Sequence, residues 1–434
     1  MPVSSRLRAL LPMGLSYAAS GGSLIVSSAA QLLTFAILAR CLGVEEFSIF
    51  IALTAITAVA IQICGLGAQE ALVRRVAREP ALYPRFLGHN ILISGISGLV
   101  LVVLGVVILP QVFTLSADPL INLTLLLVVL VTNIVLARVI LLVEQIFIAH
   151  SNFAAANRNV IFFALGRLAA AVLGCLVFGA DTLAEWIVWA FVAHAAIAVL
   201  SIRSASPLGR PSWVFHWDEM RNGILFSTPF ILRALRQNVD LLLLSALTSA
   251  EGVASYAVAR RIVDSGYLSV EALNRLLYPG SAAATRDGLH QALGRFRKVL
   301  AVSIGIAVMA ALVLVCGAPL LPLLFGAEYV SLPGFTQILA PTIVLMAAWA
   351  TAQEALGSSG HHLERAMIFN GAVVLGGVGI ALATWLEGTS GAFFAIYATE
   401  LATAVAAWLV LLRLADRDRH SLPKTETLAP VHSK

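Results

Sequence analysis

Residues 230–247 read FILRALRQNVDLLLLSAL, an aliphatic run long enough to cross a bilayer as a helix. Arg233, Arg236 and Asp240 stand inside it at spacings of three and four, which places them on one helical face. Each ionised group at bilayer depth costs about 3 kcal/mol on insertion scales. Such a face has to meet protein or a water-filled gap, because lipid offers it no partner.

The rest of the chain fits a membrane setting. Of 434 residues, 59% are hydrophobic and 12% charged; soluble domains carry roughly twice that charged fraction. The net charge of +5 marks loop placement and not nucleic-acid binding, since basic residues of membrane proteins gather in cytoplasmic loops. Cys41, Cys64, Cys175 and Cys316 are scattered through apolar segments without metal-ligand or redox spacing, and read as small packing residues. No metal site is expected. Arg6 and Arg8 followed by an apolar run resemble a secretory signal, but the apolar pattern continues to Leu38, too far for a signal and right for a spanning helix.

Twelve apolar runs are predicted to span, at 14–39, 46–69, 88–110, 120–148, 158–178, 184–203, 221–247, 252–279, 299–325, 334–356, 366–387 and 390–413. An even number puts both termini on one side. Twenty of the 28 lysines and arginines fall in the segments on that side or on the helix edges flanking them, which assigns it to the cytoplasm. The opposite loops are short; Ala180 to Leu183 is one whole connection. They leave no room for an external catalytic domain, so the chain is read as a transporter and not an enzyme.

The two halves repeat with an offset of about 206–212 residues. Glu45-Glu46-Phe47-Ser48-Ile49-Phe50 aligns with Glu251-Gly252-Val253-Ala254-Ser255-Tyr256, and Arg85-Phe86 with Arg295-Phe296. Leu109-Pro110 aligns with Leu321-Pro322, and Gln145 with Gln353. Six helices per repeat give both halves one orientation, hence parallel repeats about an axis along the membrane normal. The expected fold class is an all-α integral membrane protein with twelve helices in two six-helix bundles, 1–212 and 213–415, and a cytoplasmic tail, 416–434. A substrate site belongs at their interface near the midplane.

LARCLGVEEFSIF (38–50), ICGLGAQEALVRRVARE (63–79) and SAEGVASYAVARRI (249–262) resemble the polysaccharide-unit, Wzx-type flippases of the multidrug/oligosaccharidyl-lipid/polysaccharide (MOP) exporter superfamily. The likeness covers nearly the whole chain. It departs at Ser48 and Ala254, where such proteins usually carry Gly; both residues are still small. The resemblance implies V-shaped bundles opening alternately to either side, and an undecaprenyl-pyrophosphate-linked sugar unit as cargo. It further implies the bacterial cytoplasmic (inner) membrane, O-antigen, capsule or exopolysaccharide biosynthesis, and polymerase or chain-length proteins as partners. It supplies no catalytic signature.

At 1.5 Å per residue, the hairpin turning near 248–251 sets Asp240 level with Arg260, and Arg236 level with Asp264. Two cross-helix ion pairs are expected, which on their own are a purely structural reading. They leave Arg233 and Arg261 without carboxylates and a local charge of +2. Asp264, Tyr267, Glu271 and Asn274/Arg275 continue a polar stripe, with Glu271 and Arg275 four apart. The first half answers with Ser27, Gln31, Thr34, Thr54 and Thr57 as the sugar-facing groups, while arginine forks suit phosphate. Arg138 and Arg167 are candidates for a cytoplasmic vestibule, or else snorkel to the interface. His194 reads as a packed histidine. Glu400 is a candidate for a coupling proton or sodium ion, or the partner of a buried donor. No cofactor is expected, and no P-loop points to ATP. The rival readings are a drug or organic-cation antiporter, which calls for an acidic or aromatic cavity, and a membrane glycan polymerase or ligase.

Overall fold

The computed structural model describes residues 3–285 and 288–421, with side chains described from residue 22 onward except those of residues 24, 275–284 and 420–421. Fourteen α-helices carry the described chain: α1 (Val3–Ile63), α2 (Ala68–Arg78), α3 (Tyr83–Ile108), α4 (Pro119–Leu130), α5 (Ala137–Ala149), α6 (Phe153–Ala171), α7 (Leu183–Ala205), α8 (Trp217–Leu247), α9 (Ala250–Ala284), α10 (Leu289–Gly317), α11 (Leu321–Phe325), α12 (Leu332–Leu339), α13 (Thr342–Ser358) and α14 (His362–Ser421). No strand occurs among the described residues.

Two of these helices are broken by a glycine at positive φ, a conformation that costs other residues Cβ strain. Gly43 (φ 67°) divides α1, and Gly388 (φ 57°) divides α14. Each break falls where the sequence predicts a turn between two spans. Elsewhere the ends are set by capping: Asp118 accepts from the amides of Leu120 (2.8 Å) and Ile121 (3.1 Å) ahead of Pro119, and Asn152 accepts from Ala155 (3.1 Å). Six-residue π-helical turns, Val131–Leu136 and Val172–Val177, join α4 to α5 and extend α6.

Among the described residues, eight helical stretches are long and apolar enough to cross a membrane. Both broken helices count once there, and α8 and α9 are not among them because of their ionised residues. The flanks of α3, α7 and α10 present leucine and valine outward, as lipid-facing helices do (Leu99 64%, Leu200 62% and Val313 65% exposed).

Within the first half α1 packs on α6, and α5 on α6 and α7; within the second, α13 packs on α14, and α10 on α9 and α13. The halves meet where α1 lies along α8 and α9. One apolar core runs through this junction, joining Leu38, Phe47 and Trp186 to Tyr256, Tyr329 and Ile343. Two further clusters sit nearer the termini, one around Phe86 and one around Phe296, the residues paired by the repeat. Lipid is as apolar as these side chains, so close approach and hydrogen bonds have to hold the helices together. At the end remote from the termini, Tyr329 Oη donates to Ala39 O (2.9 Å) and Arg40 to Leu323 O (3.3 Å). At the terminal end, Gly67 and Gly223 touch backbone to backbone, leaving no space for a Cβ on either. Beside them Glu219 of α8 accepts from Arg74 (2.7 Å) and Arg75 of α2.

Candidate functional site: a charged cavity between the halves

Between these two closures lies a cavity of about 560 Å³. Its walls come mainly from α8, α9, α13 and α14, and on the facing side from the two arms of α1. Arg233, Arg236, Arg260, Arg261, Asp264, Glu271 and Glu400 all line it, as does Thr54. Of the three charges in the stretch 230–247, Arg233 and Arg236 therefore meet a cavity and Asp240 does not.

The ion pairs differ in part from expectation. Asp240, fully buried behind the wall, accepts from Tyr256 Oη (2.5 Å) and from the Arg260 guanidinium. The predicted Arg236–Asp264 pair does not form. Arg236 instead gives Nη2–H to Glu400 Oε1 (2.8 Å), and Trp349 Nε1–H donates to Glu400 Oε2 (2.6 Å). α14 brings this acid in from 164 residues away, a distance that hairpin arithmetic cannot span. Both oxygens of Glu400 are thereby engaged, so a coupling ion would have to displace a donor.

The expected surplus of two positive charges is corrected by the same observation. Asp264, Glu271 and Glu400 line the cavity with the four arginines, and Asp240 stands behind Arg260. Formal charge balances among the described residues, but it is unevenly spread. Arg233 and Arg261 have no carboxylate within 4.0 Å among the described residues. Arg233 lies over the Phe369 ring (5.8 Å to its centroid). Arg261 reaches across to Gln31 Oε1 of the first half and lies over Phe35 (5.6 Å). Both contacts leave other N–H groups of the fork available to a ligand. The side chain of Arg275 lies outside the described residues, and Glu271 has an interaction partner of its own.

The first-half hydroxyls mostly do not reach the cavity. Thr34 and Thr57 are each 2% exposed and turn back on their own helix, to Ala30 O (2.7 Å) and Leu53 O (2.9 Å). Ser27 is 3% exposed and packed away. Only Thr54 lines the wall, with Gln31 engaged through Arg261. Polar groups not singled out from sequence take their place: Gln237, Asn238, Thr342 and the Trp349 indole. Gln237 and Asn238 lie within the opening stretch, flanked by the charges, so its polarity pattern already marked them. Arg138 and Arg167 do not form a shared vestibule. Arg138 is buried against Gly65, in the Cys64–Gly67 turn. Arg167 faces a separate small pocket with His194. His194 is buried, with Nδ1 2.7 Å from Ala190 O, as a packed histidine should be.

A model of the polysaccharide biosynthesis protein family matches residues 17–279, more than half of the chain. The chain belongs to this family. No curated protein sequence matches it. Among solved structures it is similar to an inward-facing MATE multidrug-resistance transporter of the MOP superfamily (14% identity, 91% of this chain and 96% of that one, TM-score 0.73). The outward-facing form of such a transporter superposes less well (14% identity, 94% and 96% covered, TM-score 0.61). The lipid II flippase MurJ in an inward closed conformation is similar too (12% identity, 92% and 87% covered, TM-score 0.70). At these identities the likeness concerns the fold alone, which is that of the MATE transporters and of MurJ, in a multi-pass membrane protein.

Proposed function

We propose that the protein is a flippase that moves polyprenyl-pyrophosphate-linked oligosaccharide units from the cytoplasmic to the outer leaflet of the bacterial inner membrane, with both termini cytoplasmic. The observation that carries this reading is the pair Arg233 and Arg261, which face the cavity with no carboxylate within 4.0 Å among the described residues. Two arginine forks from neighbouring helices suit the two phosphates of a pyrophosphate. A gap of about 560 Å³ is within the range of organic-ligand sites, and holds a headgroup while the polyprenyl tail stays in lipid. Gln237, Asn238, Asp264 and Trp349 then meet the first sugars through hydrogen bonds and ring stacking. Units 1–212 and 213–415 rock against each other, breaking the Arg261–Gln31 contact in the outward stroke.

The membrane potential favours the step, so proton or sodium coupling is possible without being required. At about 2.3 kcal/mol per charge per 100 mV, two negative charges leaving a negative interior gain roughly 5 kcal/mol. The test is export in cells: Arg233→Ala and Arg261→Ala should keep normal protein levels and accumulate lipid-linked intermediate on the cytoplasmic side. Full export by both variants would remove these arginines from the mechanism.

One observation favours a second reading. Asp264, Glu271 and Glu400 line the cavity with Tyr267, Trp349 and Phe369, and acids with aromatic faces suit organic cations. An antiporter of this kind would extrude cationic dyes from vesicles down a sodium or proton gradient; the flippase reading predicts no such efflux.

A further inference from the structure

A second, smaller pocket of about 30 Å³ lies inside the first half, lined among others by Thr54, Thr132, Asn133, Arg167, Trp186 and His194. Its contents are chemically one-sided. It has a guanidinium, hydroxyls, an amide and an imidazole, and no carboxylate. Arg167 makes no hydrogen bond or ion pair among the described residues, and its Nε is buried without an acceptor. Its guanidinium lies over the Phe163 ring, 5.8 Å from the centroid. Thr132 is 2% exposed, and its hydroxyl is likewise without a partner among the described residues. Buried cations and hydroxyls are costly unless a partner meets them. Thr132 and Asn133 lie on the π-helical turn Val131–Leu136, and Val172–Val177 follows one turn after Arg167. Such turns are frequent at functional sites.

We propose that this pocket binds one small monovalent inorganic anion, a halide, on Arg167 and Thr132. At roughly 10–15 Å³ for each water-sized occupant, the volume admits two or three at most, which fits a halide and is too small for a sugar phosphate. Thr54 lines both this pocket and the central cavity, so the two are neighbours.

The test needs no cargo. Crystals of the full chain grown or soaked in bromide should show an anomalous peak at hydrogen-bond distance from the Arg167 guanidinium. In solution, replacing gluconate by chloride or bromide at constant ionic strength should raise the unfolding temperature of the wild type saturably. Arg167→Gln should abolish that rise and Thr132→Val should weaken it. Ordered water alone in the pocket would overturn the proposal. So would a bromide peak without a saturable effect in solution, which is binding at crystal concentration only, or an equal halide response in the wild type and both variants. Halide binding by a protein whose loss leaves export of lipid-linked intermediate intact would keep this site and sink the flippase reading, so the two fail separately.

Discussion

Asp240 is the residue whose loss should be felt most. It is fully buried, one oxygen serves both Tyr256 Oη (2.5 Å) and the Arg260 guanidinium, and the other accepts from Leu241 N (2.9 Å). Removing one member of such a pair typically costs about 3–5 kcal/mol, because the remaining charge is left without its counter-ion. Arg260 is 20% exposed at its side chain and borders the cavity, so water recovers part of that cost and the lower end, about 3 kcal/mol, is expected for Asp240→Ala. At an average unfolding entropy of about 2.1 cal/mol/K per residue, a chain of 434 residues should lose roughly 3 °C in Tm in detergent. The double variant Asp240→Leu/Arg260→Met removes both charges and should regain most of the loss, since apolar replacement of a whole buried pair is often neutral. An Asp240→Ala protein as stable as the wild type, or a double variant less stable than the single, would refute the reasoning.

Three further outcomes follow from the same contacts. Glu219→Gln weakens the hold on Arg74 and Arg75; it should broaden the distance between spin labels at Glu79 and Arg221 and leave Tm nearly unchanged, because both arginines are partly exposed. Tyr329→Phe loses the bond to Ala39 O, worth about 1 kcal/mol, and should broaden the distance between labels at Asp181 and Ala327 at the opposite end, with no change at the first pair. Glu400→Gln releases Arg236 from its carboxylate; inorganic pyrophosphate should then bind roughly tenfold more tightly, or about 1.4 kcal/mol, as read by calorimetry on the purified protein.

The legible part of this site was the part whose burial lipid cannot tolerate. Arg233, Arg236, Arg260, Arg261 and Asp264 stand in apolar runs, where only a cavity or a partner accommodates them, and all five line the gap. Thr34 and Thr57 misled because a helical hydroxyl can satisfy itself on the carbonyl four residues back, as both do. The sequence gives a hydroxyl no mark that tells a packed one from a cavity-facing one. Glu400 was legible as a buried acid, but its partners Arg236 and Trp349 lie on two other helices, and which helix faces which is a tertiary fact. The turns were more readable than the partners, since Gly43 and Gly388 break their helices where the apolar pattern resets. Arg138 and Arg167 lie at similar depths by count, yet face different surroundings. Depth follows from position along a helix; direction follows from packing.

If Arg233 and Arg261 hold a pyrophosphate-linked headgroup, native mass spectrometry of the purified protein with undecaprenyl pyrophosphate measures that contact directly. Two charge-assisted hydrogen-bonding groups are worth about 1.5–3 kcal/mol each, so the Arg233→Ala/Arg261→Ala protein should retain the lipid at least tenfold more weakly than the wild type, while both bind uncharged undecaprenol alike. Equal retention of the pyrophosphate by the two proteins would contradict it.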